Sequence, residues 1–161
     1  NGFSKLFAMT GLRLGYVIAP PSLVRPMQKL QQNFFISANS MVQKAAIAAL
    51  KCAGEDVVRM KSIYDERRQF LIRRLRQIGL GITVEPTGAF YVFANAKRYS
   101  MDSYKLAFDI LEKARVGVSP GIDFGRNGEG YLRFSYANSL ENLAEGMNRL
   151  EKYFRDHYPG S

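Results

Sequence analysis

Residues 55–78 form the longest stretch with a single periodicity, and they constrain the fold more than any other part of the chain. Apolar side chains recur there at close to helical spacing, and Gly79 and Gly81 follow as a stop. The pattern predicts one long helix that bridges two domains. The recurring positions are Val57, Val58, Ile63, Tyr64, Phe70, Leu71, Leu75 and Ile78.

The chain after this helix changes to short alternating segments separated by turn residues. From residue 82 the predicted order is strand, strand, helix, strand, strand, helix. This order indicates an α+β arrangement, in which helices cover a small, mainly antiparallel sheet. The predicted strands are residues 82–85, 89–94, 116–118 and 131–136, and the predicted helices are residues 102–114 and 140–154.

The chain before the long helix is predicted to contain one strand and two helices. β-Branched and aromatic residues indicate the strand at residues 12–19, and two prolines close it. The helices are expected over residues 22–32, with Ser22 as the N-cap, and over residues 40–52.

The formal net charge is +9, from 23 basic and 14 acidic residues, which raises the question of nucleic-acid binding. The basic residues are spread along the chain, however. The densest group, within residues 67–76, is interleaved with apolar side chains, as in an amphipathic helix with a solvated basic face. We therefore expect no nucleic-acid partner. A remainder of opposite charge outside these 161 residues is a second explanation of the excess.

No apolar run approaches the roughly 20 residues that a membrane span needs, so no membrane partner is expected. The sequence begins at Asn1 inside an apolar segment without a secretion signal, and we expect residues upstream of it. Cys52 is the one cysteine, which excludes an internal disulfide and fits a cytoplasmic location.

The residue types exclude most catalytic machinery. His157, the only histidine, lies in the polar tail, which disfavours a Ser-His-Asp or Cys-His apparatus. One histidine and one cysteine are too few for a zinc site. The glycines of residues 125–130 lack the strand and helix that flank a nucleotide-binding loop. What remains is a lysine with arginines to organise anions. Lys5 lies between apolar neighbours, and partial desolvation there would favour an imine with a carbonyl cofactor.

Residues 2–15 have the sequence Gly-Phe-Ser-Lys-Leu-Phe-Ala-Met-Thr-Gly-Leu-Arg-Leu-Gly. This segment resembles the pyridoxal-phosphate attachment motif of class I aminotransferases. In that family the lysine holds the cofactor aldehyde as a Schiff base and then moves a proton at the substrate Cα, so the resemblance gives both roles to Lys5. It makes Arg13 the ligand of the cofactor phosphate, which a guanidinium suits, and Ser4 a further cofactor contact. Many members have serine where this chain has Gly2, so no side-chain phosphate contact is expected there.

Residues 131–137 are similar to the family segment whose arginine binds the substrate α-carboxylate. The resemblance makes Arg133 that clamp, since a guanidinium can hold a carboxylate with two hydrogen bonds. Without the resemblance, Arg133 would be an exposed arginine on a strand. Residues 86–91 resemble the entry to the family's small domain, and residues 118–125 its loop near the active site.

Over its whole length the chain resembles the C-terminal portion of a fold type I aminotransferase similar to aspartate aminotransferase. The resemblance implies an α/β fold. Residues 1–54 would end the large cofactor-binding domain, residues 55–81 would form a connecting helix, and residues 82–161 would form the small α+β domain. It also implies pyridoxal 5'-phosphate as cofactor, amino-acid and 2-oxo-acid substrates, a homodimer, and no metal.

Several parts of the family's site are missing from this sequence. They are the glycine-rich helix start that binds phosphate, the aspartate that pairs with the pyridine nitrogen, and the aromatic residue that stacks on the ring. We therefore expect these residues alone to be inactive. Lyases, synthases and acyltransferases of the same fold have similar lysine segments. A different alternative is the aminotransferase-like effector domain of a transcriptional regulator that binds the cofactor.

Overall fold

The computed structural model describes residues 1–159, and the chain divides into two compact units. Unit one is Asn1–Lys61 and unit two begins at Ser62. The boundary lies inside the longest helix. That helix confirms the one predicted over residues 55–78. The separate division at residues 54 and 81 stays a prediction. Of the helices in the described part of the chain, none is long and apolar enough to cross a membrane.

Within residues 1–159 there are five α-helices and three strands. In chain order they are α1 (Pro21–Phe34), α2 (Ser40–Cys52), α3 (Gly54–Gln77), β1 (Tyr91–Asn95), α4 (Ser103–Ala114), β2 (Ser119–Pro120), β3 (Tyr131–Ser135) and α5 (Leu140–His157).

Unit one contains α1, α2 and the beginning of α3. The expected N-cap at Ser22 is wrong, because α1 already begins at Pro21 and no side chain caps it. Proline suits a first helical position, since its fixed φ matches the helix and its missing N–H would have no partner there. At α2, Asn39 precedes the helix and its side chain accepts the backbone N–H of Met41 at 2.9 Å.

The strand predicted at residues 12–19 is wrong. Only Gly15 pairs there, in an isolated antiparallel bridge with Gly2, and residues 10–12 form a short 3-10 turn. Val17 and Ile18 are 63% and 89% exposed. β-Branched residues favour a strand only where a partner strand pairs with them, and the described part of unit one provides one bridge.

Unit two has a three-stranded sheet in the order β1-β3-β2, antiparallel throughout. This confirms the small antiparallel sheet expected from the sequence. Asp102 caps α4 by accepting the backbone N–H of Lys105 at 2.8 Å, and Ser139 caps α5 in the same way from Asn142 at 3.2 Å. Both helices therefore begin where their capping residues predict.

Two of the predicted strands are wrong. Residues 82–85 form no strand, and β2 lies one residue beyond the predicted residues 116–118. Ile82, Val116 and Val118 are instead partly buried against the core of unit two. Their apolar character reflects packing on that core and not pairing with a neighbouring strand.

The two faces of the sheet differ in composition. Along β1 and β3 every second side chain is buried, and the alternate side chains are exposed or half-buried. Helices α3, α4 and α5 contribute most of the rest of the same core, so the sheet has one covered face and one open face. The sheet residues on the covered face are Val92, Ala94, Leu132 and Phe134, and those on the open face are Tyr91, Phe93, Tyr131 and Arg133.

The loop between β2 and β3 is held close to the start of α4. Ser103, which is completely buried, accepts the backbone N–H of Ile122 on its Oγ at 3.1 Å. Gly121 and Gly128 approach so closely that a Cβ on either would overlap the carbonyl oxygen of the other. The loop is therefore fixed by backbone contacts that only glycine permits.

Glu129 adds a carboxylate to this attachment. Its Oε1 accepts the backbone N–H groups of Ser103 at 2.7 Å and Gly130 at 3.1 Å. These hydrogen bonds, that from the Ser103 backbone foremost, hold the pKa of Glu129 below its ordinary value. Because the pKa of Glu129 is lower in the folded chain than in the unfolded chain, its carboxylate stabilises the fold at pH values above the unfolded-state pKa. This stabilisation is lost as the pH falls through the folded-state pKa.

We expect the midpoint of thermal unfolding to fall more steeply in acid, below about pH 4, for the wild-type chain than for Glu129→Gln. The measurement is calorimetry over a pH series. Glu112→Gln, which changes an exposed glutamate of α4, is the control and should keep the wild-type slope. Equal slopes for the wild type and Glu129→Gln would contradict the assigned role.

Candidate functional site

The first sixteen residues form a closed loop, called here the lysine loop. Its two ends run antiparallel, with a bridge between Gly2 and Gly15. Around the bridge, Phe3 donates its backbone N–H to Leu14 at 3.2 Å and Tyr16 donates to Asn1 at 2.8 Å. Everything between the bridge residues, including the predicted cofactor residues, is thus part of one backbone ring.

Phe3 anchors the inside of the lysine loop. It is 3% exposed, and its ring contacts those of Phe7 and Tyr16 at centroid distances of 5.4 and 5.6 Å. Its carbonyl oxygen accepts the backbone N–H of Met9 at 3.3 Å, which folds the chain back after the lysine. Unit one has few other buried apolar side chains, so this cluster is the main support of the loop.

Lys5 and Ser4 lie at the first turn of the lysine loop. Lys5 is exposed, so the apolar neighbours in the sequence do not cover it as expected. Its carbonyl oxygen accepts the backbone N–H of Ala8 at 3.2 Å. Ser4 is half-buried, and its carbonyl oxygen accepts the hydroxyl of Thr10 at 2.7 Å. These bonds hold the backbone that presents both side chains.

Arg13 lies at the second turn of the same loop and has a left-handed backbone, with φ 53° and ψ 53°. For a residue other than glycine this conformation costs on the order of 1 kcal/mol. Its Nη1 donates to the carbonyl oxygen of Thr10 at 3.1 Å. Arg13 forms no ion pair with a carboxylate of the described residues. The loop therefore carries both the Lys5 amine and the Arg13 guanidinium, and the guanidinium has no carboxylate partner in residues 1–159.

The two glycines of the bridge differ in the space around them. A Cβ at Gly2 would meet no atom within 4 Å. At Gly15, by contrast, a Cβ would lie 3.1 Å from the carbonyl oxygen of Asn1. Of the two glycines of the bridge, Gly15 is therefore the one where a side chain would crowd the opposite backbone, and Gly2 could be replaced by a residue with a side chain.

Arg133 lies at the middle of the central strand β3 on the open face of the sheet. In the strand register it is opposite Phe93 on one side and Ser119 on the other. Its Nη2 donates to Ser119 Oγ at 3.3 Å. Its Cζ lies 4.2 Å from the ring centroid of Tyr91 and 4.4 Å from that of Phe124. The half-buried guanidinium is thus held by two aromatic rings and one hydroxyl.

Arg133 also has no acidic partner among the described residues. A guanidinium that is packed against rings and hydroxyl keeps its full positive charge, because arginine does not deprotonate in proteins. This arrangement can bind an external carboxylate with the in-plane donors that Ser119 does not use.

Sequence reasoning missed the aromatic contacts of Arg133. Tyr91 and Phe124 lie in segments that resemble the family, but neither was assigned a role. Their proximity to Arg133 depends on the strand register and on the fold of the β2–β3 loop, and neither can be derived from local pattern.

Lys5 and Arg13 belong to unit one, and Arg133 belongs to unit two.

Comparison with known proteins decides the family. The model of the family described as aminotransferase class I and II matches residues 1–150. The chain belongs to the class I and II aminotransferases. The family resemblance inferred from residues 2–15 and 131–137 is thereby confirmed.

Two curated aminotransferases illustrate the range of similarity. The aspartate aminotransferase of Pyrococcus horikoshii is 50% identical over 155 residues, which cover 94% of this chain and 39% of that protein. The (5-formylfuran-3-yl)methyl phosphate transaminase of Methanocaldococcus jannaschii is 41% identical over 154 residues, which cover 95% and 40%. The chain therefore spans about two fifths of the length of these aminotransferases. The matches give this share and no position, so they do not support the expected C-terminal placement.

Solved aminotransferase structures have the same fold over nearly the whole chain. The aromatic aminotransferase from Pyrococcus horikoshii superposes with a TM-score of 0.93 at 43% identity, covering 97% of this chain and 42% of that one. The aspartate aminotransferase from Thermotoga maritima gives a TM-score of 0.87 at 35% identity, covering 96% and 39%. The mixed fold, with helices and a small antiparallel sheet, is thus that of aminotransferase structures.

Proposed function

We propose that this chain contributes the cofactor lysine and two anion-binding arginines to a pyridoxal-phosphate-dependent enzyme that transfers an amino group between an amino acid and a 2-oxo acid. The observation that supports this most is the lysine loop. It holds Lys5 and Arg13 in one backbone ring, in a chain that belongs to the aminotransferase family.

The residues of the lysine loop fit the cofactor. Pyridoxal phosphate, when bound, supplies an aldehyde that an amine can attack and a ring that withdraws electrons from the substrate Cα. The exposed Lys5 amine suits the aldehyde, and the Arg13 guanidinium, without an acidic partner in the described residues, suits the phosphate. The Ser4 side chain lies at the same turn of the lysine loop as Lys5 and would add a polar contact to the cofactor.

Each residue then has a distinct task. Lys5 would hold the cofactor through its amine, and the same amine would move a proton at the substrate Cα. Arg13 orients the phosphate end. Arg133 holds the α-carboxylate of the amino acid or 2-oxo acid, because its charge has no partner among the acidic groups of the described residues.

The proposal extends to the class of substrate and not to one donor. Proteins of comparable identity to this chain are named for aspartate, for aromatic amino acids and for a furan phosphate. Since each of the three matches at least 94% of this chain, we assign Lys5, Arg13 and Arg133 to groups that the substrates share and not to one side chain. A homodimer, implied by the resemblance, and a cytoplasmic location, which the single cysteine fits, remain part of the proposal.

The test of the Lys5 assignment is covalent labelling of the 161-residue chain. The chain is incubated with pyridoxal phosphate, reduced with borohydride and mapped by mass spectrometry. We expect the reduced adduct at Lys5, and Lys5→Ala should abolish it while Lys29→Ala, on exposed α1, should leave it unchanged. Labelling spread evenly over surface lysines would refute the assignment.

Arg13→Ala should weaken labelling by pyridoxal phosphate about tenfold, as expected for loss of a charge-assisted hydrogen bond to phosphate. Labelling by pyridoxal, which lacks the phosphate, should be insensitive to the same change. The measurement is the adduct yield over a concentration series of each aldehyde. An equal effect of Arg13→Ala on both aldehydes would contradict phosphate binding.

These residues alone are proposed to be inactive, because the groups that bind the cofactor ring are missing from the sequence. A transamination assay with pyridoxal phosphate and several amino acids should give no turnover above the rate of the free cofactor. Turnover that depends on Lys5 would show that the chain is sufficient for catalysis.

A further inference from the structure

We propose that Phe124, with Tyr91, is a positioning residue that orients the Arg133 guanidinium for a substrate carboxylate. The inference rests on the carboxylate role proposed for Arg133 above. Phe124 itself touches neither the reacting atoms nor the carboxylate. It acts through Arg133.

The guanidinium of Arg133 contacts two aromatic rings. Arg133 Cζ lies 4.2 Å from the Tyr91 ring centroid and 4.4 Å from the Phe124 ring centroid. A guanidinium is planar and weakly hydrated, and the faces of aromatic rings attract it. Two such contacts restrict the rotamers of a long side chain, while the in-plane N–H groups stay available for hydrogen bonds.

The N–H donors of the Arg133 guanidinium are not used by acidic residues of the described chain. Ser119 Oγ accepts one of the five N–H groups of Arg133, at a donor–acceptor distance of 3.3 Å. No aspartate or glutamate of the described residues takes the others. Rings and hydroxyl together set the plane and the rotation of the guanidinium, so a carboxylate meets a fork that is already oriented.

Contacts of the β2–β3 loop fix the position of Phe124. It ends the 3-10 turn Gly121–Phe124, and the preceding Ile122 donates its backbone N–H to the buried Ser103. The Phe124 ring also meets the Phe93 ring edge to face, at a centroid distance of 5.9 Å. Although Phe124 is 49% exposed, its ring has a defined place, as a positioning role requires.

The test uses the 161-residue chain and pyruvate as the probe, in a nuclear magnetic resonance titration. Binding is followed in every variant by the backbone amide signals of residues 119 and 133, and also by the Nε–Hε signal of Arg133 where that residue is present. Arg133→Gln assigns the signal and should abolish saturable binding. Phe124→Leu keeps much of the volume but removes the ring, and we expect it to weaken pyruvate binding about tenfold. Phe124→Tyr restores a ring and should bind as the wild type does. Phe108→Leu, which changes an equally exposed aromatic residue of α4, is the matched control and should have no effect.

The outcomes separate the two levels of the proposal. If Phe124→Leu binds pyruvate as the wild type does while Arg133→Gln does not bind, the positioning role is overturned and the carboxylate role stands. If the wild type shows no saturable shift, or Arg133→Gln binds equally well, the carboxylate role fails and the positioning role fails with it. Should Phe124→Leu lower the unfolding midpoint, Tyr91→Leu tests the same role from β1, and wild-type affinity in that variant overturns it.

Discussion

Gly121→Ala is expected to destabilise unit two by about 3 kcal/mol, near the upper end of what overpacking costs. A Cβ at Gly121 would overlap the carbonyl oxygen of Gly128 and lie 2.6 Å from that of Tyr131. Both atoms belong to the backbone, so no side chain can turn aside to make room. The β2–β3 loop would have to separate from the start of β3.

The measurement is denaturant unfolding of the variant against the wild-type chain, with Gly88→Ala and Gly117→Ala as controls. A Cβ at either control position meets no atom within 4 Å, so both variants should stay close to the wild-type free energy of unfolding. A loss for Gly121→Ala no larger than for these controls would show that the loop relaxes without cost. Because Phe124 lies in this loop, Gly121→Ala should also shift the Arg133 Nε–Hε resonance.

Leu132→Ala is expected to lower the free energy of unfolding by about 3 to 4 kcal/mol, the range for a leucine truncated in a core. Leu132 has no exposed surface and lies on the central strand, opposite Ala94 on β1 and Pro120 on β2. The two neighbouring residues cannot move inwards independently, since each belongs to a strand that is paired with β3. The space left by the truncation should therefore stay largely unfilled.

Urea unfolding followed by circular dichroism would measure this loss. Val84→Ala, at a valine that is 77% exposed in the same unit, is the control and should change stability by less than about 0.5 kcal/mol. A Leu132→Ala variant as stable as Val84→Ala would mean that the sheet is not supported by this core. Arg133 is the next residue along the strand, so the variant also tests whether the site depends on the packing beneath it.

The starts of α4 and α5 were predictable because their determinants are local. Asp102 and Ser139 accept N–H groups three residues further on, so a few residues of sequence contain the whole interaction. The strands were less predictable, because pairing depends on distant partners. Val116 and Val118 have strand-forming side chains, yet the register of β3 places Ser119 and not the valines opposite Arg133.

The candidate site also has features that local sequence predicts and features that depend on distant contacts. Lys5, Arg13 and Arg133 were identified because ordered segments of sequence resemble a family. The left-handed backbone of Arg13 was not, since no glycine marks it. The contact of Arg133 with Phe124 joins a strand to a loop whose path depends on the close approach of two glycines, and local periodicity contains no information on such an approach.

The bridge between Gly2 and Gly15 has a consequence for how weak contacts combine. Because the ends of the lysine loop are tied together, Lys5 and Arg13 cannot diffuse apart as two positions on an open chain would. A ligand held by one group then meets the other as an intramolecular partner, at an effective concentration far above that in solution. With the roles proposed for Lys5 and Arg13, the loop is expected to act as a chelator. Cutting the bridge should then weaken the binding of a ligand that contacts both residues far more than that of a ligand that contacts one.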